Sequence, residues 1–81
     1  MNAASEEQYE RYEHSEEWLN RSRDKVKRYQ VELECARKYG TVHQVATALG
    51  TLKDAAEAYM KRLTEHAENL AAYVASELRD Q

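Results

Sequence analysis

The chain has no proline and no phenylalanine among its 81 residues, and only two glycines, one tryptophan and one cysteine. Without proline, nothing in the sequence forces a kink or a stop inside a helix. The lone cysteine, Cys35, excludes an intramolecular disulfide framework and gives no sign of an oxidising compartment. No apolar run approaches the ~20 residues that span a membrane. The opening "MNAASEEQYE" lacks the basic start and apolar middle of a signal peptide. These absences lead to the expectation of a soluble, cytoplasmic protein. A net charge of −3 is too mild, and of the wrong sign, for a general nucleic-acid binder.

What is present is the composition of long helices: alanine, glutamate, leucine, arginine and lysine dominate. The length allows one small domain, spanning 1–81, and a chain this short is often marginal until a partner covers part of it. Ser5-Glu6-Glu7-Gln8 matches a capping box and predicts a helix start near residue 6. Tyr12, Leu19, Val26 and Leu33 then recur every seven residues, at a position labelled a. Ser15, Ser22, Tyr29 and Ala36 recur at d, which is a helical stripe rather than strand alternation. Arg37 and Lys38 suit a helix C-terminus, and Gly40 is expected there as a left-handed C-terminal residue.

Thr41 follows at once as an N-cap, with Gln44 three residues on as the second half of a capping box. A stop abutting a start leaves almost no loop, so "KYGTVHQ" predicts a tight joint between antiparallel helices. The second helix carries Val42, Leu49, Ala56, Leu63 and Leu70 at a, and Val45, Leu52, Tyr59, His66 and Tyr73 at d. The pattern runs straight through Gly50, although Thr51-Leu52-Lys53-Asp54 leaves a break there open. The expected fold is all-α: helices at about 6–39 and 42–79 with the turn at 40–41, forming an antiparallel coiled-coil hairpin. Residues whose numbers add to 81 or 82 should face each other. Leu33 then meets Leu49, Val26 meets Ala56, Leu19 meets Leu63, Ser22 meets Tyr59, and Ser15 meets His66.

One face is left over. Ala46, Met60, Ala67 and Val74 lie beside the second helix's seam at e, Tyr9 lies at e on the first helix, and Trp18 and Tyr39 lie at g. A lone hairpin cannot bury a stripe this wide, whereas a four-helix bundle can. A homodimer, or completion on another protein, is therefore expected. Six acidic residues and one basic fall in 1–20, against seven basic and three acidic in 21–38. Such blocks can set register between chains.

The other chemistry-bearing residues have plainer readings. Arg21, Arg23, Lys25, Lys27 and Arg28 occupy several helical faces and read as a solvated surface. His14, His43 and His66 lack the spacing that puts metal ligands on one face. His66 at d is expected to bond Ser15 or a tyrosine hydroxyl. Cys35 at c points outward. No nucleophile with its base and no phosphate-binding glycine loop is evident, so neither enzyme activity nor a cofactor, metal or small-molecule substrate is expected.

Two stretches of the sequence resemble known families. Ala46 and Gly50, with Val45 and Leu49 before each, resemble the Ala-x-x-x-Gly core of helix-turn-helix DNA-binding domains. That implies a turn near Gly50 and a recognition helix after Thr51, where Asp54 and Glu57 would meet phosphate. Tyr73-Val74-Ala75-Ser76-Glu77 resembles the Tyr-x-x-x-Asp/Glu pattern of the WXG100 family, helical hairpins exported by type VII secretion systems. The family's Trp-x-Gly turn is replaced here by Tyr39-Gly40-Thr41. The leading expectation is different from both. It is a small non-enzymatic adaptor, inhibitor or chaperone-like regulator, of bacterial or phage type, docking a helical face onto a larger protein. Tyr9, Trp18, Tyr39, Met60 and Val74 are the expected contact residues.

Overall fold

A computed structural model describes residues 3–79 as two helices and the joint between them. The first, α1, spans Ala3–Tyr39, and the second, α2, spans Val42–Arg79. They pack antiparallel along their length into a rod of 59 × 13 × 13 Å.

The joint is built from local chemistry. The Thr41 amide donates to Gln44 Oε1 at 2.8 Å, and the Gln44 amide donates back to Thr41 Oγ1 at 3.1 Å. The expected capping box is thus formed, and it satisfies two of the amides that a helix start leaves without partners. Gly40 differs from expectation. Its φ is not positive, and its amide still donates to the Ala36 carbonyl at 2.8 Å, as an α-helical residue would. Glycine is required here for room. A Cβ at Gly40 would lie 2.8 Å from the Ala36 carbonyl oxygen and 2.7 Å from the capping Gln44 Oε1.

The start of α1 also differs. The helix begins at Ala3, so Ser5 lies within it, completely buried, instead of capping it. Ala3 and Ala4 are the strongest of helix formers and oppose no extension past the serine. At Gly50 there is no break: α2 is continuous, and the space a Cβ would occupy is open.

The register is the one in which facing residues have numbers adding to 81. Ser15 Oγ lies 2.9 Å from His66 Nδ1, the direct contact that sets it. Both members of each such layer are buried or half-buried, from Ser5 with Ser76 at the open end to Ala36 with Val45 at the joint. On α1 the buried columns are a and d, as expected.

On α2 the seam is turned by one column. Position d faces α1, but its companion is g, occupied by Ala48, Ala55, Arg62, Asn69 and Ser76, not a. Leu33 therefore faces Ala48 rather than Leu49, Val26 faces Ala55 rather than Ala56, and Leu19 faces Arg62 rather than Leu63. In the Leu33 and Val26 layers the reason is volume: a bulky aliphatic on α1 fits against an alanine on α2 and lets the helices approach closely, where Leu33 against Leu49 would hold them apart. Arg62 is larger than Leu63, so volume does not explain the Leu19 layer. Toward the open end the seam is polar and aromatic. Tyr12 stacks on His66 at 5.0 Å between centroids, and Tyr9 meets Tyr73 at 5.3 Å. Among the described residues, Leu33 is the one large apolar side chain that is buried, at 7% exposure.

Candidate functional site

Turning the α2 seam onto d and g leaves positions a and e outside. Val42, Ala46, Leu49, Ala56, Met60, Leu63, Ala67, Leu70 and Val74 recur at alternating spacings of three and four, and Lys53 is the single charged residue in the series. This is a second heptad stripe, parallel to the seam. Ala56 and Leu63 are half-buried. The larger members Val42, Leu49, Met60, Leu70 and Val74 are between 40% and 89% exposed. Leu78, just beyond, is exposed as well. The comparison within one helix is telling. The face of α2 that packs on α1 carries Arg62, His66, Asn69 and Ser76 among its apolar and aromatic residues, and the outer face carries aliphatics, methionine and one charge, Lys53. Folding alone has buried the more polar of the two.

The expected contact residues divide between two flanks. Tyr9, at e on α1, lies on the same side of the seam as the stripe, and Met60 and Val74 belong to the stripe itself. Trp18 and Tyr39, at g on α1, lie on the opposite side, toward the g and c columns of α2. Trp18 sits there between two guanidinium groups, Arg21 and Arg62, each 5.1 Å from its ring. Ser22, Lys25, Ala55 and Ala58 complete that groove. Arg62 also pairs with Glu65 at 3.0 Å. Tyr39, 87% exposed, stands over a second open groove at the joint with Cys35, Gln44 and Thr47. The Cys35 thiol is free and exposed.

The sequence reading places Leu49, Leu63 and Leu70 in the core; the structure leaves Leu49 and Leu70 exposed, at 45% and 40%, and Leu63 half-buried. The signal at g is the small residues Ala48, Ala55 and Ser76, three of the five in that column. α2 has apolar residues in three columns (d, a and e), and a two-helix seam takes only two. The alanines at g show which way the helix turns.

At the open end the electrostatics are those of a tyrosine cluster. The Tyr9 phenol is held above its ordinary pKa, first by its hydrogen bond to Glu13 and then by that carboxylate's charge. The Tyr73 phenol is also raised, first by burial and then by the Glu77 carboxylate. One Glu77 oxygen is shielded from solvent and makes no hydrogen bond among the described residues. Ser15 Oγ also donates to the Tyr12 carbonyl at 2.8 Å. A hydroxyl that donates to that carbonyl has its oxygen left to accept from His66 in the tautomer that carries the proton on Nδ1. Tyr73 of the Tyr-x-x-x-Glu pattern is thereby half-buried in the seam rather than displayed.

The Ala46 to Gly50 segment lies inside one continuous run of α2, so the turn that helix-turn-helix geometry needs is not formed. Among the described residues, no group of three or more His, Cys, Asp or Glu is arranged to hold a metal ion, and no helix is long and apolar enough to cross a membrane. Comparison with known proteins finds no matching family model, no matching curated protein and no matching solved structure.

Proposed function

We propose that this chain is a small, non-enzymatic protein-binding module that docks the outer stripe of α2 onto another protein chain. The observation that carries the reading is the inverted helix: the most apolar face of α2 is the one that α1 does not cover. A contiguous exposed apolar surface of this kind marks an interaction site on a soluble protein. The 3–4 spacing of its anchors matches the way an amphipathic helix fills a groove or a seam. Apolar anchors at the centre and charged residues such as Asp54, Glu57 and Lys61 around them give the usual layout of an interface core with a polar rim. The work expected of such a module is that of an adaptor, inhibitor or chaperone-like regulator in the cytoplasm.

The test places a charge at the centre of the stripe. Met60→Glu and Leu70→Glu alter side chains that already face water in the single chain, so helix content by circular dichroism should hold. Association with a protein partner, whether a second copy or a foreign chain recovered from the source cell, should be lost. If both variants associate as the parent does, the stripe is not the docking face.

A further inference from the structure

We infer that the occupant of the α2 stripe is a second copy of this chain, running antiparallel, so that two hairpins close into a four-helix bundle through an α2–α2 contact. The inference rests on the docking reading above and specifies its partner.

Geometry is the first argument. The seam is centred between g and d of α2, and the outer stripe between a and e. At 3.6 residues per turn these centres lie about 100° apart around the helix. That is near the right angle at which a corner helix of a four-helix bundle meets its two neighbours. A helix with two seams at that angle is suited to the corner of a bundle.

Surface area is the second. A compact monomer of 9.5 kDa exposes about 5,000 Å² by the usual scaling with mass. This chain exposes 6136 Å². The difference, about 1,100 Å², follows from the 59 × 13 × 13 Å rod shape, and it leaves surface enough for the ~800 Å² that each partner contributes to an interface of standard size.

The third argument is the self-complementarity of the stripe. Lys53 interrupts it, and a parallel pair would set Lys53 directly beside its own copy in a desolvated seam, which is strongly unfavourable. An antiparallel pair separates the two. If residues whose numbers add to 116 face each other, the whole stripe from Val42 to Val74 is used. Leu70 then faces Ala46 of the second copy, Leu49 faces Ala67, and Met60 faces Ala56. Each alanine meets a large side chain, the same rule that holds in the Leu33 and Val26 layers of the α1–α2 seam. Lys53 meets Leu63, and its stem is long enough to carry the ammonium out to water. Sliding by one heptad either sets Ala56 against Ala67 and leaves a gap, or leaves Leu70 and Val74 without partners.

The test uses the full chain with Cys35→Ser as background and a nitroxide at Glu57→Cys or at His43→Cys, both on the exposed column beside the stripe. Molar mass by sedimentation should be twice 9.5 kDa. Distances between labels on different chains should be short at position 57, below about 20 Å, and long at position 43, about 45 Å from the 1.5 Å rise per residue. Short distances at both positions would mean a parallel pair and overturn the inference. A single-chain mass at millimolar concentration would overturn it too. In that case, loss of a foreign partner in Met60→Glu would still uphold the docking face, and no loss would remove both.

Discussion

Replacing each glycine in turn by alanine separates two uses of that residue within one chain. Neither glycine has a positive φ, so neither substitution is strained by its backbone conformation. At Gly50 the new Cβ meets nothing within 4 Å, and alanine exceeds glycine in a helix interior by about 1 kcal/mol. Gly50→Ala should therefore stabilise the fold by about that much. At Gly40 the new Cβ would stand 2.8 Å from the Ala36 carbonyl oxygen and 2.7 Å from Gln44 Oε1. The first neighbour is backbone and can yield only by distorting the last turn of α1. The second can swing away, but that breaks the capping box, which is worth about 1 kcal/mol. A further distortion cost of about 1–2 kcal/mol outweighs the ~0.4–1 kcal/mol gained from a stiffer unfolded chain. Gly40→Ala should lose about 1–2 kcal/mol. For a domain of this size 1 kcal/mol moves the melting temperature by about 4–8 °C, so the two variants should melt on opposite sides of the parent. Thermal unfolding followed at 222 nm, at one protein concentration throughout, gives the answer. If Gly40→Ala is as stable as the parent, the close approach at the joint is not what selects glycine there.

Three further outcomes are expected. Leu33→Ala should cost about 2–4 kcal/mol by urea unfolding, since it empties the most buried apolar site, whereas Val31→Ala, on the exposed side of the same helix, should cost under about 0.5 kcal/mol. Ser15→Ala removes the hydrogen-bond partner of His66 Nδ1 and should cost about 1 kcal/mol; a neutral result would mean the pair adds nothing to the seam. Tyr9 and Tyr73 have phenols raised above 10.0 in the fold, so the fold favours their neutral form. The stability this contributes is fully present below pH 10 and is lost as pH rises through the folded values. Alkaline unfolding should set in above pH 10, in step with tyrosine ionisation at 295 nm, and Tyr73→Phe should weaken that dependence.

The parts of the fold that were legible in the sequence are those decided over a few residues. The Thr41–Gln44 box, the abutting helix ends and the heptad on α1 depend on contacts three or four residues apart, and each is present as read. The Ser5–Gln8 pattern failed because a capping box marks a start only where the chain before it leaves the helix, and Ala3 and Ala4 do not. Gly40 was placed correctly and explained wrongly. Its signature is the same for a left-handed residue and for a crowded one, and only the position of Ala36 distinguishes them.

The turn of α2 was beyond a heptad count. The expected pairs at d, Ser15 with His66 among them, already add to 81; moving the pairs at a from 82 to 81 exchanges Leu49 for Ala48 opposite Leu33 and moves a whole column from core to surface. That choice is made by the fit between two helices. The same fact governs the candidate site. Exposure of Met60, Val74 and Trp18 could be read from their columns, but not which of them share a flank. Tyr9 joins the stripe and Trp18 does not, because the flank of α1 that meets each side of α2 is a property of the packed pair.

Everything functional here depends on which columns of α2 face α1, and disulfide trapping reads that directly. In a Cys35→Ser background, Val26→Cys is paired with either Ala55→Cys or Ala56→Cys and oxidised at low protein concentration. The pair with Ala55→Cys should close within single chains, faster and in higher yield, since both positions are half-buried and share a layer in the register set by Ser15 and His66, as the short reach of a disulfide requires. Closure of the pair with Ala56→Cys as readily or more readily would return position a to the core. The apolar stripe would then be the hairpin's own seam and not a docking face.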